Sequence, residues 1–108
     1  MQLAAPTGSP SLSRRAVRYE GSYGSIELRG STLRINGAPV RLAPAPLAVF
    51  GALLEARGAV LTRAHLASIL PGVADAHALD MTVSRLRKAL PDPRLVATVV
   101  KRGYRIPV

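Results

Sequence analysis

The stretch that decides the fold is Leu79–Val108, LDMTVSRLRKALPDPRLVATVVKRGYRIPV. Leu79, Val83, Leu86 and Leu90 recur at i, i+4, i+7 and i+11. At helical periodicity they share a stripe roughly 60° wide, the mark of a helix with one buried seam. On the same wheel His77, Met81, Ser84, Arg85 and Lys88 fall on the opposite side, with Asp80 and Arg87 on one flank and Thr82 on the other. Pro91 forbids continuation past Leu90. Beyond the Pro91-Asp92-Pro93 break, residues 96–107 read as a β-hairpin whose tip is Val100-Lys101-Arg102-Gly103. From Met81 to Val108 seven basic residues (Arg85, Arg87, Lys88, Arg94, Lys101, Arg102, Arg105) face one acid, Asp92. A helix sized for a groove beside a basic hairpin is the layout of a duplex-DNA reader.

Working upstream, Asp75 or Ala76 opens this helix, and a turn at 71–75 joins it to a shorter one, Arg63–Leu70, capped by Thr62 and ended by Pro71-Gly72. Ala59-Val60-Leu61 is an extended link. A first helix spans Pro44–Arg57, with Leu47, Phe50, Gly51 and Leu54 on one face and Gly58 as its stop. Pro44 and Pro46 are tolerated because they lie in its first turn. Ahead of it lie four β-prone segments, Ala16–Glu20, Ser25–Arg29, Thr32–Ile35 and Pro39–Leu42. Ile26/Leu28 and Leu33/Ile35 alternate with polar residues, as in a sheet with one wet face. Asn36-Gly37 is a strong hairpin signal, because both turn positions need φ > 0. Gly21-Ser22-Tyr23-Gly24-Ser25 resembles a phosphate loop but lacks a lysine and a following helix, and reads as a turn. Residues 1–14, rich in Ala, Pro, Gly and Ser, read as a flexible tail or linker remnant, and 15–108 as one domain. The expected class is α+β: an N-terminal antiparallel sheet, three helices with a helix-turn-helix, and a C-terminal hairpin wing.

Composition narrows the function. A chain of 108 residues with a formal net charge of +9 attracts polyanions. No cysteine is present, which excludes disulfides, thiolate metal sites and thiol nucleophiles. His65 and His77 stand alone, so no metal site is expected. No paired carboxylates or nucleophile–base set appears, so no catalytic residue, enzyme activity or cofactor is expected. No apolar run approaches a membrane span, and Met1–Ser13 lacks the features of a signal peptide, so the expected location is the cytoplasm. Four aromatic residues, Tyr19, Tyr23, Phe50 and Tyr104, with Tyr104 reading as core, make a poor base-stacking platform. That favours duplex DNA over RNA or single strands.

The blocks Val40-Arg41-Leu42, Val60-Leu61-Thr62-Arg63-x-x-Leu66, LD-x-x-VSRLRKAL (79–90) and TV-x-x-x-GYRI (98–106) resemble the OmpR/PhoB-type winged-helix effector domain across about residues 24–108. The resemblance implies transcription regulation, typically as the DNA-binding half of a response regulator. It also implies head-to-tail pairs on direct repeats. Matched position by position, Met81 and Arg85 reach base edges. Thr82, Ser84, Arg87 and Lys88 lie near the DNA backbone or groove wall. Arg105 and the residues before it form the wing at the adjacent minor groove. Three departures stand out. Ala43, Ala45 and Pro46 weaken the first helix's cap, the short 71–75 turn puts a contact with RNA polymerase in doubt, and the wing's charge moves to Lys101-Arg102 at its tip. The sequence includes no receiver domain. It reads as a fragment of a longer regulator or as one controlled otherwise than by phosphorylation.

The residue chemistry agrees with that reading. Arg85 suits bidentate pairing with guanine, while Met81 suits a thymine methyl as well as it suits plain surface. Arg63 sits at a helix N-terminus, where a phosphate binds but a cation is poorly placed for the dipole. Asp80 reads as a local partner, to Arg87 or as a cap, or as an acceptor from cytosine. Two alternatives stay open, a winged-helix module for protein contact and a nonspecific nucleic-acid binder.

Overall fold

The structure, a computed structural model, describes residues 16–70 and 75–107. Four strands come first: β1 Ala16–Gly21, β2 Gly24–Arg29, β3 Thr32–Ile35 and β4 Ala38–Val40. They form an antiparallel meander in the order β1-β2-β3-β4. Ile26 pairs with Tyr19 and Ile35, and Leu28 with Val17 and Leu33, so one face carries the apolar rows. All six of those side chains are buried. Asn36 and Gly37 both take positive φ, 53° and 84°, as the hairpin signal predicts. Asn36 Oδ1 also accepts from the Ser25 amide at 3.0 Å, joining that turn to β2. Residues 22–23 form the expected turn between β1 and β2. The fourth strand starts one residue earlier and ends two earlier than its sequence signal, Pro39–Leu42. The two-residue turn places Ala38 opposite Ile35, and pairing ends at Val40.

Helix α1, Pro44–Glu55, has no side-chain cap on Ala43, in line with the Ala/Pro opening. It ends two residues before the expected Arg57, which takes a left-handed φ of 50° ahead of Gly58 at 92°. Its buried face is also rotated from expectation. Pro46, Val49, Phe50, Leu53 and Leu54 are inside, while Leu47 and Gly51 are half-buried. The helix packs against both β1 and α3 (Ala76–Ala89), so its buried face follows two neighbours rather than one. Helix α2, Arg63–Ser68, starts where Thr62 Oγ1 accepts from the His65 amide at 3.1 Å. Pro71-Gly72, read as its terminator, lies outside the described residues. Asp75 caps α3 by accepting from the Ala78 amide at 2.9 Å.

A short 3-10 turn, Pro93–Leu95, was not legible beforehand. Asp92 caps it through the Arg94 amide at 2.9 Å. The wing follows as β5 Ala97–Val99 and β6 Gly103–Arg105. Leu61, in the extended link, exchanges both backbone hydrogen bonds with Tyr104, at 2.9 and 3.0 Å, and so adds one rung on the other edge of β6. Two residues further on, the Ile106 carbonyl accepts from the Tyr19 hydroxyl at 3.1 Å, fastening the first sheet to the segment after the wing. The core is one cluster drawn from every layer, with Phe50, Leu66, Leu79, Leu86 and Leu95 essentially inaccessible.

Candidate nucleic-acid interface

The apolar seam of α3 is as the sequence predicts, with Leu79, Val83, Leu86 and Leu90 all buried. Thr82 joins it, which corrects its expected place at a groove wall. The residue is only 6% exposed and its hydroxyl donates to the Ala78 carbonyl one turn back, at 2.9 Å. The opposite face carries His77, Met81, Ser84, Arg85 and Lys88, all exposed, with Met81 at 44%. No described group bonds to Arg85 or Lys88, so their charges are not engaged within the fold.

The flank bearing Asp80 and Arg87 turns toward α2 and the wing. Arg87 Nε donates to the Val96 carbonyl at 3.0 Å and Nη2 to Thr98 Oγ1 at 2.8 Å, with its guanidinium carbon 5.7 Å from the Tyr104 ring centroid. These acceptors are neutral, so Arg87 keeps its charge while holding helix to wing. Asp80 pairs with Arg63 rather than Arg87, at 2.7 Å, and also accepts from the Tyr104 hydroxyl at 2.9 Å. Arg63, at the helix N-terminus where the sequence suggests a phosphate contact, is therefore engaged by an acid within the fold. The Arg63 guanidinium and then the Tyr104 hydroxyl hold the Asp80 carboxyl below the usual carboxylate range. Burial, and then the Asp80 carboxylate, push the Tyr104 phenol above its usual value. Tyr104 is core, as expected, at 5% exposure, but its hydroxyl reaches this polar junction.

The wing tip closes with the Arg102 amide on the Val99 carbonyl at 2.9 Å. Lys101 takes a positive φ, 65°, as the third residue of the turn. Gly103 has φ 150° and serves close approach: an added Cβ lies 1.9 Å from the Leu61 carbonyl oxygen. Lys101 and Arg102 are exposed and unengaged, and Val100 between them and β5 is 76% exposed. That apolar tip residue was passed over in the sequence, where a lone valine in a basic turn carries no signal. Arg105 is half-buried on β6, and its enclosed Nε has no partner.

Electrostatically, the two acids within 76–107, Asp80 and Asp92, are each taken by an arginine, Arg63 and Arg94. Arg94 also lies 4.5 Å from the Tyr23 ring centroid. What remains uncompensated is Arg85, Arg87 and Lys88 on α3 and Lys101, Arg102 and Arg105 on the wing. Two basic elements set side by side form a surface shaped for a polyanion. Among the described residues no group of three potential metal ligands occurs, and no helix is long and apolar enough to cross a membrane.

The family model described as transcriptional regulatory protein, C terminal, matches residues 37–106. Solved structures share the fold. The DNA-binding domain of CadC from E. coli is 25% identical, with 88% of this chain and 94% of that one covered and a TM-score of 0.69. The RstA DNA-binding domain of Klebsiella pneumoniae, in complex with the RstA box, is 24% identical, covering 86% and 97%, at 0.70. DrrB, a response regulator and OmpR/PhoB homologue from Thermotoga maritima, is 20% identical with a TM-score of 0.73, and 98% of this chain spans 56% of its length. No curated protein matches at a significant level.

Proposed function

Because this chain belongs to the family of transcriptional regulatory protein C-terminal domains, as an OmpR/PhoB-type winged helix, we propose that it regulates transcription by binding duplex DNA at specific sites. The observation that carries the reading is the juxtaposition of an unengaged basic helix face with an unengaged basic hairpin tip. An α-helix fits the major groove, and a hairpin beside it falls at the neighbouring minor groove. RstA of Klebsiella pneumoniae, of this fold, is a DNA-binding domain seen with its box.

In this reading α3 enters the major groove. Arg85 reads a guanine and Met81 lies against a base edge, while Ser84 and Lys88 contact phosphates. Lys101, Arg102 and Arg105 approach the minor groove. Thr82 has no part in contact, and Arg63 and Arg87 act mainly by holding the surface together. Pairing of two copies on direct repeats is the family's implication and completes the proposal, a cytoplasmic location is that of the sequence, and the short 71–75 turn speaks against a contact with RNA polymerase. The role is binding, without catalysis and without a cofactor. Selection from a random duplex library tests it. An enriched motif is expected, and retention by charge with no motif would reduce the chain to a nonspecific polyanion binder.

A further inference from the structure

Three elements meet at one carboxylate. Asp80 Oδ2 accepts from Arg63 Nη2 at 2.7 Å and Oδ1 accepts from the Tyr104 hydroxyl at 2.9 Å. Arg63 Nη1 lies 3.4 Å from that same hydroxyl and closes the triangle. Arg63 opens α2, Asp80 belongs to the first half of α3, and Tyr104 is the middle residue of β6. Resting on the DNA-binding reading above, we propose that Asp80 is a positioning residue: it sets α3 against the wing so that Arg85 and the Lys101-Arg102 tip engage their two grooves together.

The geometry supplies the reason. Asp80 and Arg87 share a flank seven residues apart, about 10 Å along the helix at 1.5 Å per residue. Each reaches the wing, Asp80 through Tyr104 and Arg87 through Val96 and Thr98. One such link leaves a helix free to swivel about it, whereas two fix its rotation and its tilt. The Tyr104 end of the first link is rigid. Its ring is buried, and its backbone is bonded on both sides to Leu61, directly ahead of the Thr62 cap of α2. A tyrosine held in this way offers its hydroxyl at one point in space. The carboxylate that accepts it is fixed from the other side by Arg63. Both oxygens are thereby drawn into the junction, which turns the carboxylate toward α2 and the wing. Its charge is also cancelled on the flank of a helix that must approach phosphates. Stabilisation alone is a weaker account, since half-exposed ion pairs contribute little. What the junction provides is direction.

The test uses the full chain, with Tyr104→Phe, which keeps the ring and loses the hydroxyl, and Asp80→Asn, which keeps the shape and loses the charge. Duplexes carry the site enriched by the wild type, with A/T-rich or G/C-rich flanks at the wing position, beside a scrambled control. Each variant is expected to lose about three- to ten-fold in preference for its site, toward the lower end of what coupled groups show, with binding to scrambled duplex nearly unchanged. Replacing Lys101 and Arg102 with Ala should then cost the variants several-fold less than it costs the wild type. A readout independent of DNA completes it: amide dipolar couplings of residues 76–89 and 97–105 should fit one rigid body in the wild type and cease to do so in Asp80→Asn. If both variants keep the wild-type preference, or the couplings still fit one body, Asp80 does not position the helix. A wild type that selects no sequence would instead overturn the DNA-reading proposal itself.

Discussion

The α carbon of Gly103 stands so close to the Leu61 carbonyl oxygen that a Cβ built on it lies 1.9 Å away, where no side chain fits. The wing therefore meets the segment ahead of α2 through bare backbone, and the next residue, Tyr104, accepts from the Leu61 amide and donates its own amide to the Leu61 carbonyl. Gly103→Ala must push Leu61 and β6 apart, in addition to holding Ala at φ 150°. The expected loss is about 2 kcal/mol or more, because an incompatible backbone conformation and a broken rung act together. Chemical denaturation measures it, and amide exchange at residues 97–105 should quicken ahead of exchange in α1. A variant as stable as the wild type would mean that the rung contributes nothing.

The order of elements was legible because its signals are local. Asn36-Gly37 has two positions that demand φ > 0, Thr62 and Asp75 cap their own helices, and the seam of α3 repeats with the helix period. What escaped notice depends on neighbours distant in sequence. The face of α1 turned because it serves a sheet and a helix at once. The Arg63–Asp80 pair spans 17 residues and the Tyr104–Asp80 bond 24, so neither leaves a periodic trace. Thr82 lies on a flank of the helical wheel, and whether a flank is wet depends on what packs there.

The polar junction predicts a stability profile against pH. The Asp80 carboxyl is held low in the folded protein, so its contribution is present above the ordinary aspartate range and lost as pH falls through the depressed folded value. The Tyr104 phenol is held high, so its contribution is complete below pH 10 and lost as pH rises beyond it toward the folded value. Thermal midpoints across pH should fall at both ends. Tyr104→Phe should flatten the alkaline fall, and an unchanged profile would mean that the phenol titrates alike folded and unfolded.

Acid pairing also limits the number of phosphate contacts. With Arg63 and Arg94 engaged by Asp80 and Asp92, about five cations remain for the DNA backbone. Each contact contributes about −0.9 to the slope of log K against log[salt], giving roughly −4 to −5. A titration series at several salt concentrations checks this. A slope near zero would remove the electrostatic part of the interface.

Arg85 and Lys88 are both exposed and unengaged on α3, yet the proposal gives them different work. Arg85→Ala should cost about 1–3 kcal/mol at its cognate base pair and little on other DNA, whereas Lys88→Ala should weaken all sequences alike. Equal losses on specific and scrambled duplexes for both variants would make Arg85 another phosphate contact.

At the wing tip Lys101 takes φ 65° and Arg102 closes the turn onto Val99, so both cations project from a fixed corner. Neither side chain is buried, and Gly103 and Tyr104 carry the docking of the hairpin. Replacing Lys101 and Arg102 with Ala should leave the fold intact, since alanine keeps the Cβ and with it the same small strain at position 101. A narrow A/T-rich minor groove has enhanced negative potential, so cations gain more there than on average DNA. The double variant should therefore lose affinity chiefly on sites whose wing-side flank is A/T-rich. Titrations against two duplexes with identical core sites, one flanked by A/T and one by G/C, measure it. Equal losses on both would make the tip a general phosphate contact. No loss on either would mean that the tip points away from DNA, and α3 would have to dock in another orientation.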